Sequence, residues 1–331
     1  MPLLFDFIDR QFITFPPPVH TSFLGRTVIV TGASSGLGLE ASRLLTTLHA
    51  TRIILACRNL DKGRAAADEI RRSNSDATTA LDVWPLDLSS YASVLAFTDR
   101  AVTDLPRLDA VIANAGIWPH KYHQTKDGNE ETLQTNVIAA ALLACALHPK
   151  LARTAAEHGV TTHITFTGSE LYEFAAFKER KQAAEGKLLA TLNDEKTFAK
   201  TKGDRYNVSK FLILLVARQM AALAPVKGKG VVISVNAPGM CYTDLGQQDI
   251  NLNAAVRRII KMLARKPEVG ARALVYGACA GVEAHGGYLP DCKLTDLKGL
   301  AAGEEGRKLQ EWVWRELKVV LEGARSGITE L

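Results

Sequence analysis

The sequence predicts an α/β fold: one doubly wound, mostly parallel sheet of seven strands with helices on both faces. Three observations carry that expectation. Short apolar runs rich in β-branched residues alternate with longer helical segments from residue 27 onward, and such alternation implies parallel strands joined by helical crossovers. The strand-like runs lack strict apolar–polar alternation, as strands buried on both faces do. A glycine-rich turn, TGASSGLG, follows the first run directly and opens the first helix.

The first strand is expected at 27–31 (TVIVT), followed by a helix over about 37–48. RIILAC at 52–57 leads to a helix over about 61–73, and LDVWPLD at 81–87 to one over about 90–104. LDAVIAN at 108–114 precedes the most apolar segment, expected as a helix over 129–148. A fifth strand at 163–168 (HITFTG) is separated from the helix at 207–223 by a long insertion, 170–205, which carries 8 basic and 7 acidic residues. VVISVN at 231–236 is the sixth strand and GGYLP at 286–290 a weak seventh; residues 240–305 otherwise read as loops and helices. Neither irregular region reads as a separate unit. The expected organisation is an N-terminal arm over 1–24 and a single domain over 25–331.

Composition narrows the function classes. The net charge of +5 arises from 40 basic and 35 acidic residues spread without a basic block, which argues against nucleic acid as a partner. The five cysteines are scattered, with no CxxC pairing. They read as packing residues in a reducing compartment, so a cytoplasmic location is expected. The longest uninterrupted apolar run stops at about a dozen residues, short of the ~18 that a membrane span needs. The N-terminal stretch has no basic region and no cleavage site, unlike a secretory signal. His120 and His123 lack further ligands at metal spacing and are expected at a pocket rim, with no metal site.

The glycine turn has the pattern Gly32-x-x-x-Gly36-x-Gly38. Glycines there let the chain turn sharply and bring backbone N–H groups and a helix N-terminus against a pyrophosphate. A P-loop is excluded, because no Gly-Lys-Ser/Thr follows. About 20 residues after Gly38 the second strand ends in ACRNLDKG. An NAD-specific site uses a carboxylate at that point, whereas Arg58 suits a ribose 2′-phosphate, with Lys62 assisting. The expected cofactor is therefore NADP(H).

Two Y-x-x-x-K pairs occur, Tyr122/Lys126 and Tyr206/Lys210. The first lies in a polar loop. The second stands at the mouth of an apolar helix between the fifth and sixth strands, with its members about one turn apart on one face. Context favours the second.

With these motifs in view, the chain resembles short-chain dehydrogenase/reductases over about residues 25 to 325. The signatures are TGASSGLG, LDLSS, NAGI, LQTN, TGS, YNVSK and NAPGMCYT. ACRNLDKG, TKDGNEETLQTNV and the late GARALVYGACAGVEAHGGYLPDC further resemble retinol-dehydrogenase-like members and relatives in fungal secondary metabolism. The resemblance implies a Rossmann domain that transfers hydride between NADP(H) and a carbonyl or alcohol. Tyr206 would be the general acid in reduction, and Lys210 would lower its pKa and hold the nicotinamide ribose. Ser169 would polarise the substrate carbonyl, and Asn136 would hold a water of a proton relay. Gly32, Ser34, Ser35, Gly36, Leu37 and Gly38 would form the pyrophosphate turn. Asp87 and Leu88 would meet the adenine, Asn114, Ala115 and Gly116 the adenosine ribose and central strands, and Pro238, Gly239 and Thr243 the nicotinamide carboxamide.

Two departures stand out: Gly168 precedes Ser169 where many relatives carry serine, and the insertion lengthens the Ser169-to-Tyr206 spacing to 37. The insertion is expected to wall or cover the substrate, with Tyr172, Phe174 and Phe177 joining Trp118 and Tyr242 as apolar contacts. Dimerisation through the helices at 129–148 and 207–223 is usual in the family, and their apolar length permits it. Two other readings stay open: a reductase-derived enzyme doing isomerisation or cyclisation, and a non-catalytic NADP(H) sensor. The intact Ser–Tyr–Lys set argues against the sensor.

Overall fold

A computed structural model of the chain describes residues 11, 15–74, 78–243, 245, 258 and 262–331. Most of the expected N-terminal arm and part of the 240–305 region lie outside these residues. The seven strands are β1 (Thr27–Thr31), β2 (Arg52–Cys57), β3 (Ala80–Pro85), β4 (Ala110–Ala113), β5 (Thr162–Thr167), β6 (Val231–Ala237) and β7 (Tyr288–Pro290). They form one sheet in the order β3-β2-β1-β4-β5-β6-β7, and every neighbouring pair is parallel. Val28 pairs with Ile53 on one side and Ala110 on the other. The chain runs outward from β1 to β3 and then returns to lay β4 against β1. That reversal leaves a crevice beyond the carboxyl ends of β1 and β4, where such sheets bind ligands.

Alternate residues of the central strands enter two separate cores. Val28, Val30, Ile53 and Leu55 pack with Ala41 and Leu45 of α1 (Gly36–Thr47) and Ala67 and Ile70 of α2 (Leu60–Ser73). Ile29, Ile54 and Val111 pack on the opposite face, against α3 (Tyr91–Asp104), α4 (Ala139–His158) and later helices. Local chemistry sets the helix starts. The Asn59 side chain accepts from the Lys62 N–H at 2.9 Å and caps α2, with Asp61 in its first turn and Arg71 and Arg72 in its last, matching the helix dipole. Glu130 accepts from the N–H groups of Thr132 and Leu133, opening a helical run through Gln134–Ile138 (a π-turn) into α4, which Gly159 ends at φ 62°.

The full run Glu131–His158 is long and apolar enough, by length and composition, to cross a membrane, and 83% of its apolar window is buried inside the protein. Its apolar residues are spent on the core, as are those of α7 (Arg205–Leu223).

The insertion holds two 3-10 turns, Glu170–Phe174 and Lys178–Gln182, then α5 (Leu188–Asn193) and α6 (Glu195–Thr201). Of its aromatic residues expected at the substrate, two are buried within the protein and one is exposed. Tyr172 is buried edge-on against Tyr288, Phe177 is buried against Phe211 of α7, and Phe174 is exposed. Leu188, Leu189 and Leu192 are buried too. The segment is fastened to a helix that the sequence reading did not single out, Gly303–Ala324. Glu316 of that helix accepts from the Leu188 and Leu189 N–H groups at 2.9 Å each, and Arg315 donates to the Ala183 carbonyl. Burying apolar surface on α7 stabilises the insertion more than projecting it over a cleft, because each buried aromatic or leucine contributes about 1.5–3 kcal/mol. Pro267–Gly277 forms α8, packed on α1, and Gly303–Ala324 forms α9.

Candidate active site

A cleft of about 510 Å³ opens at the carboxyl edge of the sheet, along the crevice set by the strand order. The expected site residues line it, with the exceptions of Gly38, Lys62 and Asn136. Gly38 lies behind the turn: a Cβ there would stand 2.4 Å from the Gly32 carbonyl oxygen and 2.8 Å from Asn114 Nδ2. Gly32 itself adopts φ 65° and Gly36 φ 54°, a region that side chains disfavour. These residues form a bare backbone cradle at the start of α1, the shape a pyrophosphate needs.

Around the cradle, β1 and β4 are laced together. Asn114 Nδ2 donates to the Thr31 carbonyl at 2.9 Å, and the N–H groups of Asn114 and Ala115 donate to Thr31 Oγ1. Thr31 is thus the partner of the expected asparagine brace. Asp87 Oδ1 accepts from the Ser89 N–H and hydroxyl, which fixes its carboxylate at the cleft wall. Arg58 is exposed at the end of β2 and lines the same wall.

Ser169, two residues beyond β5, and Tyr206 and Lys210 of α7 line the same cleft. Ser169 Oγ accepts from the Leu171 N–H at 3.2 Å. The unusual Gly168 has a local cause: a Cβ would meet Val235 Cγ1 at 2.6 Å. Lys210 is buried, and its Nζ donates to the Thr167 carbonyl at 2.7 Å. Asn136 sits in the π-turn and bridges two segments. It accepts from the Ile117 N–H, donates to the Ile117 carbonyl, and donates to Ser209 Oγ of α7 at 3.0 Å.

The electrostatics differ from the sequence expectation. Burial, not Lys210, dominates Tyr206, and it pushes the phenol well above its ordinary value. Burial also brings Lys210 down to about 8. The Lys210 Nζ lies 5.5 Å from the phenol ring centroid and is spent on Thr167, so desolvation outweighs its field. At neutral pH the phenol holds its proton.

The decoy pair separates cleanly. Tyr122 donates its hydroxyl to the Asn193 carbonyl at 2.8 Å and packs edge-on against Phe198 of the insertion, outside the cleft. Of the aromatic residues expected to touch substrate, Trp118 lines the cleft, while Tyr172, Phe174, Phe177 and Tyr242 do not. His123 lines the rim and His120 does not. Sequence reasoning missed Thr135, Glu131, Cys241 and Leu245 among the lining residues. It also missed a buried pair, Arg265 and Asp291 (2.5 Å), whose guanidinium donates to the Pro238 carbonyl and lies beneath Gly239. No local signal joins these two charges; only their burial reveals them.

Comparison with known proteins decides the family. The family model for short chain dehydrogenases matches residues 26–175. A short chain dehydrogenase/reductase of Cryptosporiopsis sp. is 37% identical over 321 residues, covering 97% of this chain and 98% of that relative. The chain belongs to the short-chain dehydrogenase/reductase family. A short chain dehydrogenase of Gibberella zeae is 36% identical over 321 residues, covering 96% of this chain and 91% of the relative. Among solved structures, a Pseudomonas aeruginosa RhlG/NADP complex is similar at TM-score 0.59 and 22% identity, covering 82% of this chain and 96% of that one. A 3-ketoacyl-(acyl-carrier-protein) reductase of Brucella melitensis complexed with NADH reaches TM-score 0.56 at 21% identity, covering 81% and 97%. Membership makes this short-chain dehydrogenase/reductase an oxidoreductase of NAD(P)-linked type.

Proposed function

We propose that this protein is an NADPH-dependent reductase acting on a ketone or aldehyde carried by a bulky, partly apolar small molecule, with Tyr206 as the proton donor. The observation that supports the reading is that Ser169, Tyr206 and Lys210 line the same cleft as a bare glycine cradle. The cradle fits a dinucleotide, since side chains at Gly32 or Gly38 would fill it or collide with its backbone. Gly32, Gly36 and the first turn of α1 would hold the pyrophosphate, Arg58 the 2′-phosphate, and Pro238, Gly239 and Thr243 the nicotinamide end. Bound there, the reduced cofactor would supply the hydride.

The chain's own groups then manage oxygen and proton. Ser169 Oγ–H donates to the carbonyl oxygen and polarises it. Tyr206 carries its proton at neutral pH because burial raises its pKa, and it donates that proton as charge develops on the oxygen. Lys210, half-way to losing its own proton near pH 8, holds the adjoining ribose and helps return a proton to the tyrosine. Pro119, Cys241 and Leu245 line the same cleft, which favours an apolar body around the carbonyl. The test is NADPH oxidation followed by absorbance across a panel of aldehydes, aliphatic ketones and aromatic ketones, with Tyr206→Phe as control. Turnover in the wild type and a loss of at least ~100-fold in the variant is expected. A fully active Tyr206→Phe enzyme refutes the mechanism.

A further inference from the structure

We propose that Trp118 is a positioning residue for this reaction: its indole fixes the Tyr206 ring and keeps water off one face, so that a carbonyl meets the phenol by its hydroxyl edge. The inference rests on the reading of Tyr206 as proton donor. The two rings stack with centroids 4.4 Å apart and planes 15° apart. A stack this close covers a face of each ring. Tyr206 is only 6% exposed although it lines an open cleft.

The stack is held by more than its own attraction. Trp118 follows Ile117, whose N–H and carbonyl are both bound by Asn136 at 2.9 Å. Asn136 in turn donates to Ser209 of α7, three residues beyond Tyr206. One asparagine therefore ties the backbone that bears the indole to the helix that bears the phenol. Proton donation to a carbonyl depends steeply on alignment. A tyrosine free to rotate and hydrate would lose it.

Other charged and titratable groups stand on the elements that carry this pair or line its cleft. Lys210 and Arg205 share α7 with Tyr206; His120 packs near the indole at 6.0 Å. Cys241, His123 and Glu131 line the same cleft from the other elements. Of these, Lys210 approaches the phenol ring, and it is common to every variant below. A change in the phenol's titration between them reports the indole.

The experiment compares wild type, Trp118→Ala, Trp118→Phe and Tyr206→Phe on one carbonyl substrate at saturating NADPH. Trp118→Ala is expected to lower kcat about tenfold while KM and NADPH affinity stay within about threefold. Reduction needs the protonated phenol, so its rate falls as pH rises through the phenol's pKa. Admitting water lowers that pKa toward its ordinary ~10, and the alkaline limb of the Trp118→Ala profile should move to lower pH. Trp118→Phe keeps a ring to stack and should restore most of both effects. An unchanged kcat and pH profile in Trp118→Ala, with only KM raised, overturns the proposal and leaves the indole a substrate contact. Failure of Trp118→Phe to restore kcat, with NADPH affinity intact, overturns the stacking argument. If Tyr206→Phe matches wild type, the proton-donor reading falls instead, whatever Trp118 does.

Discussion

If the proposed NADPH preference holds, replacing Arg58 should weaken or reverse it, by the worth of one charge-assisted contact with phosphate. Arg58 is exposed, lines the cleft just beyond β2, and pairs with no carboxylate among the described residues. Its charge is free to meet a phosphate. The next residue, Asn59, caps α2 through its own side chain, so a change at 58 leaves the helix start intact. A charge-assisted hydrogen bond to phosphate contributes about 1.5–3 kcal/mol. Arg58→Ala should therefore weaken NADPH by roughly 10- to 150-fold while NADH changes only a few-fold. Arg58→Asp should go further, repelling the 2′-phosphate and offering the ribose hydroxyls an acceptor. Titration calorimetry with both cofactors measures the ratio. Because Arg58 is exposed, its contribution should shrink as salt rises and the Debye length falls. A wild type that binds NADPH and NADH equally, or an Arg58→Ala enzyme with an unchanged ratio, refutes the reasoning.

Three further outcomes are expected. Gly38→Ala places a methyl 2.4 Å from the Gly32 carbonyl oxygen; it should cost about 1–3 kcal/mol of stability and abolish the rise in melting temperature expected of the wild type with NADPH. His163 Nε2–H donates to the Ala280 carbonyl at 2.9 Å, and burial lowers the ring's pKa from 6.5 to about 4. The unfolded chain binds the proton first, so stability present above pH 6.5 is lost as pH falls toward 4, by about 3 kcal/mol in all; urea unfolding of His163→Gln should show a flatter slope across that window. Glu316→Ala removes the acceptor of two backbone N–H groups of the insertion and should cost about 1.5–3 kcal/mol with KM unaltered. A raised KM at unchanged stability would return the insertion to the substrate site.

Much of this molecule was legible in its sequence, because the signals are local. β1 and β2 fall where their β-branched runs predict, at Thr27–Thr31 and Arg52–Cys57. The glycines of the cradle announce themselves because only a residue without a side chain turns there and lets Gly38 approach Gly32. The Tyr206/Lys210 pair stood apart from Tyr122/Lys126 because helical spacing against an apolar stretch is itself a local pattern. Family signatures carried the remaining expected site residues, and most of them line one cleft.

Tertiary structure decided what depends on distance in space. The insertion's aromatic residues look the same in sequence whether they cover a cleft or bury themselves; the choice fell to Phe211, Tyr288 and Glu316, all remote in the chain. The phenol's proton affinity followed burial rather than its lysine neighbour, since desolvation depends on everything packed around a group and spacing records only one partner. The Arg265–Asp291 pair and the Trp118–Tyr206 stack join residues 26 and 88 positions apart. Residue identity determines which chemistry is available at each position, but solvent exclusion and ring contact are properties of the packed chain, and no single segment encodes them.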